Sequence, residues 1–200
     1  MVSVKILAQQ CVKEAEKDVS KMPDVCKQFY KEFFLNQSDV KMDSAGKIET
    51  SWKGQTEFRE PKDMDVAWRS KMMKRALKEL FPDAKFSVRL DRFSMGDSID
   101  AEWNDGPAER TVEHTGITYM FEDIYRDDYG EILSGGNSYV SLRREVSPEK
   151  RAWAQNKIAT EFNAHEIQKK FDIGFDNKVW RLLKRTDFRS KEPRVLEGEW

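Results

Sequence analysis

The side chains best equipped for chemistry in this 200-residue sequence are carboxylates crowded into its middle: Asp97, Asp100, Glu102, Asp105, Glu122, Asp123, Asp127 and Asp128. From Asp91 to Glu131 there are 12 acidic residues against 3 basic ones, a local charge of −9 in a chain whose net charge is −1. Asp100 and Glu102 are two apart in an extended stretch, so they share one face of a strand. Two carboxylates there could hold Mg²⁺ for phosphoryl chemistry. The same residues also make a solvated acidic face. A third reading is a surface that imitates the phosphate spacing of DNA or docks on a protein's basic groove. Charge complementarity would then speed the encounter and make it salt-sensitive.

The opposite chemistry lies toward the C-terminus. Arg143, Arg144, Lys150, Arg151, Lys169, Lys170, Arg181, Lys184 and Arg185 are interleaved with Trp153, Phe171, Trp180 and Phe188. Basic groups beside aromatics can bind phosphates and stack bases. An ordinary helix with aromatics inward and charges outward has the same composition. Ser141 to Trp200 carries 14 basic and 10 acidic residues, a modest excess for a dedicated nucleic-acid binder.

Catalytic and metal signatures are sparse. His114 and His165 are the two histidines. The sequence has no His-x-x-x-His, no Cys-x-x-Cys, no Gly-x-Ser-x-Gly elbow and no phosphate-binding glycine loop ending in Lys-Ser/Thr. We therefore expect no enzyme, no cofactor and no metal. Cys11 and Cys26 fall on apolar helix faces and read as buried free thiols, since a disulfide would be out of place in a reducing cytosol. No run of about eighteen apolar residues is present to span a membrane, and the N-terminus lacks the sustained apolar region of a secretory signal.

The elements that position these groups follow from periodicity. Met72, Ala76 and Leu80, beside Met73 and Leu77, form one helical stripe from Asp65 to Phe81, with Arg69, Lys74 and Lys78 outside it; Pro82 stops it. Phe86, Val88 and Leu90 alternate with polar residues, as do Ile99, Ala101 and Trp103. They predict an antiparallel pair joined by an irregular connection, Asp91 to Asp97, in which Gly96 is free to take a positive φ. After the break at Asn104-Asp105-Gly106-Pro107, Asp105 can cap a short helix carrying Val112. Ile117, Tyr119 and Phe121 then alternate as a strand would. Asp127 to Gly130 and Ser134 to Asn137 are turns, and Tyr139 to Leu142 is a further strand.

Phe81-Pro82-x-x-Lys85-Phe86-Ser87-Val88-Arg89, followed by Ser94-Met95-Gly96-Asp97-Ser98-Ile99-Asp100-Ala101-Glu102-Trp103-Asn104-Asp105-Gly106-Pro107, resembles the large polyvalent protein-associated domain family, number twenty-nine. Tyr125-Arg126-Asp127, Gly135 to Val140, Arg144 and Ser147-Pro148 fit the same pattern. The resemblance runs roughly from Asp65 to Pro148. It implies a protein of phages or conjugative elements, whose large proteins can enter a host with the invading DNA. The family has no assigned reaction, so the resemblance carries over no catalytic residue.

Around this segment, residues 3–19 and a helix opened by Pro23 form an N-terminal hairpin. Phe29, Tyr30, Phe33 and Phe34 on it are either core or a docking face. Residues 36–62 are a linker or a small hairpin around Asp43-Ser44-Ala45-Gly46. Ser147 caps a C-terminal helix with the stripe Ala154, Ile158, Phe162, and another helix starts near Asn177. The expected organisation is a hairpin (1–35), a linker (36–62), an α+β domain (63–147), C-terminal helices (148–188) and an extended tail (189–200). The fold class is α+β: an α-β-β-α-β-β middle with a small antiparallel sheet, flanked by helices. The expected function is that of a non-catalytic mobile-element protein in the host cytoplasm. It would bind a host protein, with a defence component as the class of target, through the acidic surface. The alternative is a nucleic-acid-binding accessory protein using the basic C-terminal helices.

Overall fold

A computed structural model describes residues 3–17, 22–126, 132–135, 138–161 and 173–196. Two antiparallel-packed helices open the chain, α1 (Val4–Ala15) and α2 (Asp24–Leu35). Each buries one stripe: Leu7, Ala8, Cys11, Val12 and Ala15 on α1, and Cys26, Phe29, Tyr30, Phe33 and Phe34 on α2. The four α2 aromatics are at most 2% exposed. They stack on one another and, through Tyr30 and Phe34, on Phe121 and Trp68. They are core.

The two cysteines correct the sequence reading. Both are fully buried, and a disulfide joins them across the two helices, with Cα atoms 4.7 Å apart. That separation lies within the range a disulfide needs.

Residues 36–62 contain a small turn followed by a hairpin. Met42 bridges to Ile48 around Asp43–Gly46, where the Asp43 carboxylate accepts from the Lys47 N–H at 2.8 Å. Strands β1 (Ile48–Trp52) and β2 (Gln55–Arg59) then pair through Lys53-Gly54, both at positive φ, which suits a two-residue hairpin turn. Val40 and Ile48 belong to the main core.

Helix α3 (Val66–Leu80) starts on Asp65, whose carboxylate accepts from the N–H groups of Ala67 and Trp68 at 2.8 and 3.3 Å. Its buried face is the expected stripe plus Arg69, which is 3% exposed rather than outside it.

The central sheet has the order β3-β4-β7: β3 (Phe86–Phe93), β4 (Gly96–Asn104) and β7 (Ser138–Glu145). β3 and β4 are antiparallel, as expected, but the strands run on to a tight turn at Ser94-Met95, and Phe93 pairs with Gly96, which stays out of the positive-φ region. The irregular connection is therefore absent. The second departure is β7, which pairs parallel to β4, so the α+β fold is built on a mixed sheet. A parallel neighbour needs a crossover. It is supplied by α4 (Glu109–His114), α5 (Ile117–Phe121), β5 (Ile124–Arg126) and β6 (Ile132–Gly135).

Residues 117–121 form a helical turn, not a strand. Gly116, at φ +79°, ends α4 in the left-handed conformation, and its carbonyl then accepts from Met120 N–H. Ile117 and Phe121, four apart, both point into the core. Asp105 does not cap α4; its carboxylate accepts from the N–H of Ser147 at 2.9 Å, just ahead of α6 (Pro148–Glu161). The Ser147 hydroxyl, the expected cap, is buried without a partner.

A second, smaller core joins α6 to α7 (Ile173–Arg185) through Ala154, Ile158, Val179, Leu182, Leu183 and Phe188. Gly174 and Asp176 lie inside α7 rather than before it. The described part of the tail, residues 189–196, folds back instead of trailing away. β8 (Thr186–Asp187) pairs with β9 (Arg194–Val195), and Leu196 is buried.

Candidate docking surface on the central sheet

Alternation gives the sheet two chemically distinct faces. Ile99, Ala101 and Trp103 of β4 are buried in one core with residues of α1, α2, α3, α4 and α5. The opposite face is open. Across it Arg89 lies in register with Asp100, and Asp100 with Ser141; next to them Ser87 aligns with Glu102, and Glu102 with Arg143. Arg89, Ser141 and Arg143 are exposed, while Asp100 and Glu102 are half-buried between them. A shallow depression of about 450 Å³ follows this ladder. Ser98 donates its hydroxyl to Asp100 at 3.1 Å.

Toward the β3–β4 turn the same face becomes apolar. Phe93 and Tyr139 are 47% and 46% exposed, and Met95 at the tip is 81% exposed. Phe93 and Met95 fall in the stretch the sequence reads as an irregular connection, and Tyr139 falls on an expected strand whose neighbour and outward face only the register reveals.

The predicted acidic residues do not form one face. Asp100 and Glu102 belong to the open sheet face. Asp97 sits at the start of β4, where it accepts from Ser138 and pairs with Arg69 at 3.4 Å. Arg69 also donates to the Ser138 hydroxyl at 2.7 Å and to the Phe121 carbonyl at 2.9 Å, which ties α3, α5, β4 and β7 together. Asp123 donates its N–H to the Ser138 carbonyl at 3.3 Å, and Glu122 closes α5. Asp105 lies at the far end of β4, about 26 Å from Asp97 at the usual rise per residue. Asp127 and Asp128 lie outside the described residues. Among the described residues, no three or more His, Cys, Asp or Glu side chains group so as to hold a metal ion. The two Mg²⁺-reading carboxylates have Arg89 and Arg143 in register beside them.

The basic set is divided as well. Arg143 belongs to the open face. Arg144 turns inward: it donates to the Asp105 carbonyl at 2.7 Å and to the Leu183 carbonyl at 3.0 Å, and its guanidinium lies 4.8 Å from the Phe188 ring centre. Burial pulls its pKa down to about 10, against the opposing pull of the Asp105, Asp187 and Glu109 charges. It stays a cation, spent on joining β7 to the end of α7. Lys184 pairs with Glu109 at 2.8 Å and lies over Trp180. Lys150 lies over Phe188. Arg151 is exposed on α6, Arg181 is exposed on α7, and Arg185 is half-buried there. Lys169, Lys170 and His165 lie outside the described residues; His114 closes α4 with Nδ1 buried. Among the described residues, no helix is long and apolar enough to cross a membrane.

No curated protein and no solved structure matches the chain. A family comparison does match, over residues 64–147, which run from just ahead of the α3 cap to the end of β7. The open face and the Arg69–Asp97–Ser138 network both lie within that stretch, which matches the family model of large polyvalent protein associated domain 29, a domain associated with phages and mobile elements.

Proposed function

We propose that this chain is a non-catalytic phage or mobile-element protein that binds a host protein in the cytoplasm, with a defence-system component as the class of target. The open face of the central sheet is the binding surface. One observation carries the reading: within the matched domain, a solvent-open sheet face sets exposed Phe93 and Tyr139 beside charges of both signs, Arg89, Asp100, Glu102 and Arg143. Protein interfaces are enriched in aromatics, methionine and arginine, with charge confined to positions that can be paired. Asp100 and Glu102 keep a part in recognition, while Asp97 and Asp105 are committed to the fold.

The test is affinity capture from nuclease-treated host lysate with the tagged chain and with a Phe93→Ser, Tyr139→Ser variant of unchanged melting temperature. A discrete host protein retained by the first and lost by the second supports the reading. Equal retention by both, or capture that disappears with nuclease, overturns it.

A further inference from the structure

The β3 edge is self-complementary, and we infer that it pairs antiparallel with the β3 edge of a second copy of this chain. Among the described residues, β3 hydrogen-bonds within the sheet only to β4. The turn at Ser94-Met95 makes Phe93 and Gly96 the pair that closes the ladder. Alternate β3 residues, Phe86, Val88, Leu90 and Arg92, therefore turn their backbone groups away from β4. Arg92 N–H bears this out, since it is held by its neighbour's carboxylate, Asp91 Oδ1, at 2.9 Å rather than by β4. Residues 89–93 are all exposed, and Leu90, on the core side of the strand, is 36% exposed. An open edge strand carrying apolar side chains is a template for another strand.

The side chains select the occupant. In a two-fold antiparallel pairing centred on Leu90, the outward backbone groups of Leu90 meet those of Leu90 in the other copy. Val88 then meets Arg92, and Arg89 lies opposite Asp91 on both sides of the axis. Arg89 and Asp91 of each copy are matched in this register, while Arg92 lies opposite Val88. Phe93 comes to lie against Ser87. Asp91 exchanges the Arg92 N–H for a guanidinium, and the Arg92 N–H finds a carbonyl. The isologous contact closes, giving a six-stranded sheet β7-β4-β3-β3-β4-β7 rather than a fibre. The pairing shares Arg89 and Phe93 with the proposed docking face but needs no host partner, so its test stands apart from that reading.

Sedimentation of the full chain over a concentration series tests it. The expected result is a concentration-dependent dimer. Arg89→Asp alone and Asp91→Arg alone each place like charges opposite one another and weaken the dimer by roughly ten-fold or more. The double swap restores it, and mixing the two single variants gives a heterodimer. Leu90→Pro, which removes an outward N–H but no β3–β4 bond, leaves a folded monomer. A monomer throughout the series overturns the inference, as does a dimer indifferent to the charge reversals and to the proline.

Discussion

Arg69 of α3 reaches Asp97, the second residue of β4, 3.4 Å away, with its own side chain 4% exposed and the aspartate's 23%. The pair is shared with Ser138, the first residue of β7, and with the Phe121 carbonyl at the end of α5. One buried cation thus fixes where the crossover leaves the core and where the parallel strand begins.

Removing the charge at Asp97 leaves that guanidinium uncompensated, and breaking a buried pair from one side costs about 3 kcal/mol. Asp97→Asn is expected to lower the denaturation midpoint accordingly. Asp100→Asn, on the open face, is expected to change stability by less than about 0.5 kcal/mol. Denaturant unfolding of both variants checks the contrast.

Arg144→Lys tests a different joint. A lysine cannot reach the Asp105 and Leu183 carbonyls with one planar group. The orphaned carbonyls and the lost ring contact with Phe188 are expected to cost about 2 kcal/mol. Loosening of α7 should show as faster amide exchange in Leu182 and Leu183 than in the core of α3.

Asp187 sets an acid limit. Burial alone would raise its carboxyl pKa, but hydrogen bonds from Arg189 and the charges of Arg189 and Arg194 more than offset that and hold it below the ordinary value. Its folded pKa is depressed, so its contribution is present above the unfolded value of about 3.9 and is lost as pH falls through the lower folded value. The wild type is expected to lose stability on acidification below about pH 4, and Asp187→Asn should flatten that limb. Glu16, just past the end of α1, shares Arg189 and Arg194, each at 2.6 Å, so the tail contact with the N-terminal helix should loosen at the same time.

The Cys11–Cys26 bond spans 15 residues of sequence, for which loop closure predicts a stabilisation of about 3 kcal/mol. Reduction is expected to lower the midpoint by that order. A Cys11→Ser, Cys26→Ser variant should behave like the reduced protein. In a reducing cytosol the thiol form is the one expected to predominate, so the measurement also gives the stability margin under those conditions.

Much of the architecture was legible in local patterns. The α3 stripe, its stop before Pro82 and the alternation in β3 and β4 each depend on neighbours in sequence. What was hidden depends on partners distant in sequence. Arg69 looks like a surface residue until Asp97, Phe121 and Ser138 come together around it. Cys11 and Cys26 look like separate apolar positions until the α1–α2 register brings their Cα atoms together. β7 alternates as any half-buried strand does, and nothing in its own residues distinguishes a parallel from an antiparallel neighbour. At 117–121, spacing by two fits Ile117, Tyr119 and Phe121, and spacing by four fits Ile117 and Phe121 alone; the segment is helical, entered through the left-handed Gly116, and Tyr119 is exposed. The charge count from Asp91 to Glu131 was correct but not spatial, because β4 carries Asp97 and Asp105 to opposite ends of the sheet.

Oxidative footprinting of the full chain, alone and in complex with the captured host protein, addresses the proposed surface most directly. Methionine and aromatic side chains are sensitive reporters, and Phe93, Met95 and Tyr139 are well exposed. Binding through the open sheet face predicts that all three become protected while exposed Trp180 on α7 keeps its reactivity. Protection of Trp180 with Phe93, Met95 and Tyr139 unchanged would contradict it and move the binding surface to the C-terminal helices.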